Sequence, residues 1–346
     1  MGDMPKPRDV VFQTLRFQQP PVCPYYVWIE KEMVPPLADH YGADQFLDHG
    51  DGTCTYAGSF TAWQHIFAHA VSQSGDSFVD EYGCQLRKWA AVSVEKPALP
   101  EPTLQNYTFP DMASDAHFVG MDDWITLNAD RFRIAQLDIM FWERTWLMRG
   151  MENIMMDMTL HPAFVEQLME GLEATCTSVI DRFLADYGDQ IDAIGFSEDY
   201  GTQRSLLISP AHWRRFIKPG LGRMIERIRR GGKKVYLHSC GHIVPLIPEL
   251  IELGVDILQP IQPEAMDIFE LKRNFGRDLC LTGGISTQYT LHGGSVDDVR
   301  RDVDACLDKM AAGGGYIMAP AKAIMADVPV ENAIALIDAF RRQTGS

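Results

Sequence analysis

The sequence predicts an α/β protein, a (βα)8 TIM barrel preceded by a mostly helical N-terminal extension. From about residue 190 onward, short apolar or β-branched runs alternate with longer segments of helical period, which is typical of parallel strands joined by helices. Polar or glycine residues follow consecutive runs, as expected where strand ends converge at one mouth of a barrel. We therefore expect an extension over residues 1–80 and the barrel over residues 81–346.

The individual elements of the second half are marked by clear patterns. Strands are predicted at Ala193–Phe196, Val235–His238, Asp256–Gln259, Leu279–Thr282 and Tyr316–Ala319. Helices are predicted over residues 211–230, 243–253, 265–274, 296–311 and 330–341. Ser209-Pro210 provides a helix start, and Gly254 a helix end. Upstream, the pattern is less regular, with a helix predicted over residues 63–72 and a strand and turn within residues 132–146.

Composition narrows the classes of partner and compartment. The 47 acidic and 31 basic residues give a net charge of −16, which disfavours binding to nucleic acid or to an anionic membrane. No segment approaches the roughly 20 apolar residues that a membrane-spanning helix needs, and the N-terminus has no signal-like apolar run. The seven scattered cysteines never form CxxC, which favours a reduced cytoplasm.

His238 and Cys240 are the strongest candidates for metal ligands. They lie two residues apart at a predicted strand end, where side chains i and i+2 point the same way. Zinc favours a nitrogen and thiolate pair, and a catalytic zinc usually has three protein ligands. The alternative is a hydrogen-bonded histidine beside a buried cysteine.

Glu198, Asp199 and Lys322 are the candidate catalytic residues, because each follows a predicted strand. The two adjacent carboxylates could act as acid and base or complete a metal shell. The alternative is an N-cap or a solvated turn. Lys322 either binds a substrate carboxylate or pairs with these carboxylates, unless it lies in solvent.

Other polar or glycine residues near the expected mouth are candidates for binding substrate. They are Tyr200, Gln203, Gln259, Gln262, Gly283, Gly284, Glu143 and Arg144. The two glycines permit close approach of a ligand, although a tight turn would also require glycine. Glu143 and Arg144 form a charged pair that either holds structure or grips a carboxylate.

Three segments resemble the uroporphyrinogen decarboxylase superfamily: VYLHSCGHIVPLIPELIELGVDILQPIQPE, LTGGISTQ and GGGYIMAPAKAIMADVPVENAIAL. The resemblance is strongest over Asp192–Phe340. It implies a (βα)8 barrel with one of two chemistries. These are decarboxylation of porphyrinogens without a cofactor, and zinc-dependent methyl transfer between a corrinoid and a thiol or other acceptor.

The resemblance favours the methyltransferase-like branch. The decarboxylases carry an arginine-rich N-terminal motif, whereas Cys23–Glu30 contains no arginine. His238 and Cys240 match two zinc ligands of the methyltransferases. Their third ligand is usually a cysteine, and the matching position here is Lys322. The resemblance therefore implies that Glu264, or alternatively Asp199 or Cys280, completes the shell, or that the site has lost its metal.

The leading hypothesis is methyl transfer between methylcobalamin, or a separate corrinoid protein, and a small acceptor, with zinc at His238 and Cys240. One alternative is a metal-independent decarboxylase or other lyase that acts on a small carboxylic acid, in which Asp199 moves protons and Lys322 holds the carboxylate. The other is a ligand-binding barrel without catalysis.

Overall fold

The computed structural model describes residues 5–49, 52–88 and 92–343. The strands are β1 Trp28–Glu30, β2 Phe46–Asp48, β3 Thr53–Tyr56, β4 Thr61–Ile66, β5 Ala70–Ser74, β6 Ser77–Asp80, β7 Gln85–Lys88, β8 Val92–Lys96, β9 Phe132–Asp138, β10 Ala193–Ser197, β11 Lys234–His238, β12 Ile257–Ile261, β13 Cys280–Ile285 and β14 Tyr316–Pro320. The α-helices are α1 Pro7–Leu15, α2 Val34–Tyr41, α3 Met121–Leu127, α4 Trp142–Arg149, α5 Met151–Leu160, α6 Pro162–Tyr187, α7 Pro210–His212, α8 Lys218–Arg230, α9 Ile247–Leu253, α10 Ile268–Phe275, α11 Val296–Met310 and α12 Val330–Arg341. Shorter 3-10 or π segments are Lys31–Met33, Ala43–Gln45, Asp115–His117, Trp213–Ile217, Val244–Leu246 and Thr287–Leu291.

Seven parallel strands form one sheet in the order β14-β13-β12-β11-β10-β9-β4. Residues 24–27 close the gap between its two edges. The amide of Tyr26 donates to the carbonyl of Met318 on β14 (2.9 Å), and the amide of Phe60, just before β4, donates to the carbonyl of Tyr25 (2.9 Å). Closure pairs edge groups that would otherwise lack partners. The result confirms the predicted TIM-barrel architecture, and β10 to β14 each overlap a predicted strand.

The first 80 residues contain more strand than the mostly helical extension that was predicted. The predicted helix over residues 63–72 is wrong, because β4 pairs in parallel with β9 and β5 belongs to a second sheet. Four apolar residues in this stretch have the i, i+3, i+4, i+7 spacing of a helix: Trp63, Ile66, Phe67 and Ala70. Pairing with β9 outweighs this local pattern. β4 belongs to the barrel sheet, so the expected extension over residues 1–80 contains the first strand of that sheet.

Helices cover the outside of the barrel and bury one face each. On α8, Met224, Ile225 and Ile228 are buried, whereas Arg227 on the opposite face pairs with Asp181 on α6. This alternation is the usual pattern of an amphipathic surface helix. Within the described ranges, no helix is both long enough and apolar enough to cross a membrane.

A four-stranded antiparallel sheet in the order β5-β6-β7-β8 follows β4 in the chain. Ala70 and Gln73 on β5, Phe78 on β6 and Leu86 on β7 face the same cavity as the strand ends of the barrel. This sheet therefore forms one wall of the candidate site.

Candidate functional site

A cavity of about 740 Å³ lies at the C-terminal ends of the barrel strands. Its lining residues are Tyr26, Trp28, Trp63, His65, Phe67, Ala68, Ala70, Gln73, Phe78, Asp80, Leu86, Gln136, Asp138, Ile139, Glu143, Arg144, Leu147, Ser197, Asp199, Tyr236, His238, Cys240, Gln259, Ala321 and Lys322. Active sites of TIM barrels occur at this end, and a cavity of this size fits a small-molecule ligand. It is the candidate active site.

His238, Cys240 and Asp199 form a compact cluster in this cavity. One ligand atom from each lies within 4.8 Å of the others. His238 Nε2 is 3.4 Å from Cys240 Sγ and 3.7 Å from Asp199 Oδ1. The amide of Cys240 donates to Asp199 Oδ1 at 2.7 Å, which fixes this carboxylate beside the thiol. A nitrogen, a sulfur and an oxygen at such distances suit a zinc ion with a fourth position left for a ligand.

Gln259 orients the imidazole of His238. Its Oε1 contacts His238 Nδ1 and also accepts a hydrogen bond from the Tyr236 hydroxyl at 2.8 Å. Because an amide oxygen only accepts, Nδ1 of His238 carries a proton in this contact, and the ring directs Nε2 toward Cys240. Metal-bound histidines are usually held in this way by a partner on the other ring nitrogen.

The electrostatic surroundings of His238 favour positive charge. Burial by itself lowers the pKa of His238, but Cys240, Asp199 and Gln259 outweigh burial and raise the pKa to about 10. Surroundings that favour charge on the imidazole also favour a bound cation, which would compete with the proton for Nε2.

We expect Gln259→Leu to weaken zinc binding by about 10–100-fold, as is usual when a partner of a metal-bound histidine is lost. The substitution removes the acceptor that holds His238 Nδ1, so the ring can rotate or change tautomer. Chelator competition measures the affinity, and Gln73→Leu is the control because Gln73 also lines the cavity but bonds to Gly75. Equal affinities in the two variants would contradict this role for Gln259.

The loops that carry Asp199 and Cys240 touch through their backbones. The amide of His242 donates to the carbonyl of Thr202 at 2.7 Å. A Cβ atom on Gly241 would lie 2.6 Å from the Thr202 carbonyl oxygen, and one on Gly201 would lie 2.8 Å from that of Cys240. Only glycine permits this approach, which brings the carboxylate to the thiol.

Gly241→Ala should separate these loops and reduce turnover by about 100-fold, a loss that a shift of about 1 Å at a reacting centre can cause. Gly241 has φ +80°, so the matched control is Gly232→Ala, which has φ +74° but no atom within 4 Å of the added Cβ. The control carries a similar backbone strain without the clash. Comparable zinc content and turnover in the two variants would show that the contact between loops is unimportant.

Glu198 does not line the cavity. Its buried carboxylate accepts hydrogen bonds from the amides of Phe141 and Glu143, each at 3.0 Å, at the N-terminus of α4. Burial raises the pKa of Glu198 to about 8, although these amides oppose the shift. The expected catalytic carboxylate thus lies where it caps a helix.

Glu143 and Arg144 both face the cavity, but Arg144 pairs with Asp80 (2.5 Å). Arg144 also donates to the carbonyl of Ile139 and lies over the ring of Tyr82. Burial, with the neighbouring charges of Asp199 and Glu198, raises the pKa of Glu143 well above its ordinary value. The raised pKa favours the protonated form of Glu143 at the cavity wall.

Several other predicted residues lie outside the cavity. Tyr200 is fully buried against Trp213, and Gln203 is exposed. Gln262 accepts a hydrogen bond from the amide of Gly241 at 3.0 Å and so supports the Cys240 loop. Gln259 and Lys322, by contrast, do line the cavity.

The predicted glycine pair and third metal ligand are also placed elsewhere. Gly283 and Gly284 lie within β13 rather than after it, and added Cβ atoms would meet Ile261 and Tyr316. Close packing of the barrel accounts for them. Glu264 Oε1 accepts hydrogen bonds from the Ser286 hydroxyl (2.5 Å) and the amide of Gln288 (3.1 Å), and Glu264 is not part of the cluster formed by His238 and Cys240. Asp199, one of the alternatives, is the residue that lies with His238 and Cys240 instead.

Sequence reasoning missed Asp138 and His65. Asp138 is the last residue of β9, and His65 lies near the end of β4. His65 Nδ1 is 3.7 Å from Asp138 Oδ2. Burial would raise the pKa of Asp138, but His65, Ser197 and His238 outweigh it and lower the pKa. The strand end within residues 132–146 was a usable signal for Asp138. His65 was hidden by the helical spacing of its neighbours.

The barrel and the polar cluster at its mouth define the class of protein, a TIM barrel with a candidate active site at the strand ends. Residues 145–343, more than half of the chain, match the family described as Uroporphyrinogen decarboxylase (URO-D). The chain belongs to this family.

Methyltransferases are among its relatives. The chain is 27% identical over 133 residues to "Methylcobamide:CoM methyltransferase MtaA" of Methanosarcina barkeri, a match covering 38% of this chain and 37% of that protein. The same protein from strain Fusaro / DSM 804 is 27% identical over 134 residues, with the same shares covered. The match thus spans little more than a third of these curated relatives. The similarity to these methyltransferases agrees with the resemblance noted in the sequence.

A solved structure, "methyltransferase from Methanosarcina mazei", is similar over almost the whole length. The TM-score is 0.69 with 16% identity, and the match covers 98% of this chain and 99% of that one. This likeness shows the shared fold.

Proposed function

We propose that this protein is a corrinoid-linked methyltransferase that transfers a methyl group between a cobalamin cofactor, or a separate corrinoid protein, and a small acceptor. One observation carries the proposal. In a chain of this family, one ligand atom each from His238, Cys240 and Asp199 lies within 4.8 Å of the others in a cavity at the barrel mouth.

The donor set supports zinc at this point, held by His238, Cys240 and Asp199. When bound, zinc lowers the pKa of a thiol or hydroxyl acceptor and so makes it a better nucleophile. The chain's own residues prepare the site. Gln259 binds Nδ1 of His238 and so directs Nε2 toward Cys240, and the amide of Cys240 holds the Asp199 carboxylate in place.

The cavity walls favour a small acceptor with apolar surface. Aromatic side chains cover much of the lining: Tyr26, Trp28, Trp63, Phe67 and Phe78. Four carboxyl groups line the cavity, those of Asp80, Asp138, Glu143 and Asp199. The basic side chains of Arg144, His65 and His238 already lie beside the first, second and last of these, which leaves few cationic partners for a polycarboxylate such as a porphyrinogen.

Lys322 supports recognition of a single negative group. It lines the cavity with an exposed side chain, and no salt bridge or hydrogen bond to it is found within the described ranges. A carboxylate or similar group on the acceptor could bind there. A metal-independent lyase would also use Lys322 to bind a carboxylate. The two functions therefore have to be distinguished by an activity measurement.

The test is methyl transfer from methylcobalamin to a panel of thiols and phenols, with zinc-loaded wild type and Cys240→Ser compared. We expect the wild type to methylate at least one acceptor and Cys240→Ser to lose most of this activity. Gln73→Leu is the control for a change in the cavity wall. Absence of transfer by the zinc-loaded protein, together with turnover of a small carboxylic acid by the metal-free protein, would favour the lyase.

A further inference from the structure

A second cluster of metal-binding side chains lies outside the candidate active site. His69 follows β4, Glu81 follows β6, and His117 ends the 3-10 helix Asp115–His117. One ligand atom from each lies within 4.8 Å of the others. Glu81 Oε2 is 3.2 Å from His117 Nε2, and the rings of His69 and His117 stack with centroids 4.3 Å apart. Three separate chain segments thus converge on one point.

The backbone fixes two members of this cluster. The amide of His69 donates to Glu81 Oε2 at 2.9 Å, and the amide of Glu81 donates to the carbonyl of His69 at 3.1 Å. These reciprocal bonds hold the Glu81 carboxylate in position.

His117 supplies an independent observation. Its side chain is 0% exposed, and its ring contacts the Glu81 carboxylate, with Nε2 3.2 Å from Oε2, and the backbone of Phe67. Neither ring nitrogen has a hydrogen bond of good geometry within the described ranges, whereas buried polar atoms usually do. A buried imidazole held in this way beside a carboxylate and a second imidazole can present its nitrogen to a metal ion.

We propose that His69, Glu81 and His117 bind a divalent transition-metal ion, with zinc as the best match. Two imidazole nitrogens and one carboxylate oxygen are a zinc donor set, whereas Ca²⁺ and Mg²⁺ prefer oxygen ligands. The ion links the antiparallel sheet to the segment that precedes α3. Ala68, Ala70 and Asp80, which adjoin the ligands in sequence, line the cavity. The ion therefore braces this wall and does not take part in the reaction.

The test uses the full chain carrying His238→Ala and Cys240→Ser, so that the first cluster no longer contributes. Equilibrium dialysis against zinc should find one ion per chain, and zinc should raise the Tm. Adding Glu81→Gln should weaken this binding at least about tenfold, because it replaces an anionic ligand. Glu95→Gln is the matched control, since Glu95 lies on β8 of the same sheet and pairs with Arg87.

Two results would overturn the proposal. One is zinc binding that is equal in the Glu81→Gln and Glu95→Gln proteins. The other is that the His238→Ala and Cys240→Ser protein, in which the second cluster is unchanged, neither binds zinc nor shows a higher Tm with zinc. This measurement does not depend on any substitution in the second cluster. Cobalt substitution distinguishes the clusters in the wild type, because only the one containing Cys240 gives a thiolate charge-transfer band.

Discussion

His238→Ala should bind one equivalent of zinc less than wild type and should lose at least about 100-fold in the rate of methyl transfer. This loss exceeds the usual effect of removing a residue that only hydrogen-bonds to a metal ligand, because His238 is itself a proposed ligand. His238 places Nε2 3.4 Å from Cys240 Sγ and 3.7 Å from Asp199 Oδ1, so its loss leaves two ligands and opens the centre to water. Metal analysis and the methylcobalamin assay measure the two effects.

The control for this variant is His292→Ala. His292 is not among the residues that line the cavity. Its side chain is 53% exposed and pairs with Asp327. It should keep the full zinc content and activity. A His238→Ala protein that retained all of its zinc would remove this residue from the metal shell.

Asp80→Asn should lower the free energy of unfolding by about 3–5 kcal/mol, the usual cost of leaving a buried charge without its partner. The Asp80 and Arg144 side chains are only 1% and 4% exposed. Asp80 Oδ1 also accepts the amide of Cys84 at 2.9 Å, so the carboxylate joins the antiparallel sheet to α4. Chemical denaturation measures the effect.

Asp297→Asn is the control for charge removal in general. Asp297 pairs with Arg300 on α11, where both side chains are more than half exposed. Exposed pairs contribute little, so stability should hardly change. A similarly small effect of Asp80→Asn would mean that the pair with Arg144 contributes little to stability. Arg144 would then be available to bind substrate.

The second half of the barrel was predictable because each strand there is a short apolar run bounded by turn residues. His238 and Cys240 followed from their spacing, since residues two apart on a strand share a face. Asp199 followed from its place after β10. Their common location is a consequence of parallel strands ending at one mouth.

The N-terminal half was less predictable because local and long-range signals conflict there. The apolar spacing around Trp63 is helical, yet pairing with β9 determines the structure. A capping role was one interpretation of Glu198, but the sequence does not show that the helix is α4, which lies more than 50 residues away. The cluster of His69, Glu81 and His117 depends on the same kind of long-range approach, so its spacing resembles no metal motif.

The central claim is that His238, Cys240 and Asp199 hold zinc for methyl transfer. X-ray absorption at the zinc edge, with Glu81→Gln used to remove the second ion, tests it most directly. We predict one sulfur neighbour at about 2.3 Å and nitrogen or oxygen neighbours at about 2.0–2.2 Å, with the sulfur lost in Cys240→Ser. Zinc bound at full load without a sulfur neighbour, or a sulfur signal unchanged in Cys240→Ser, would contradict the account.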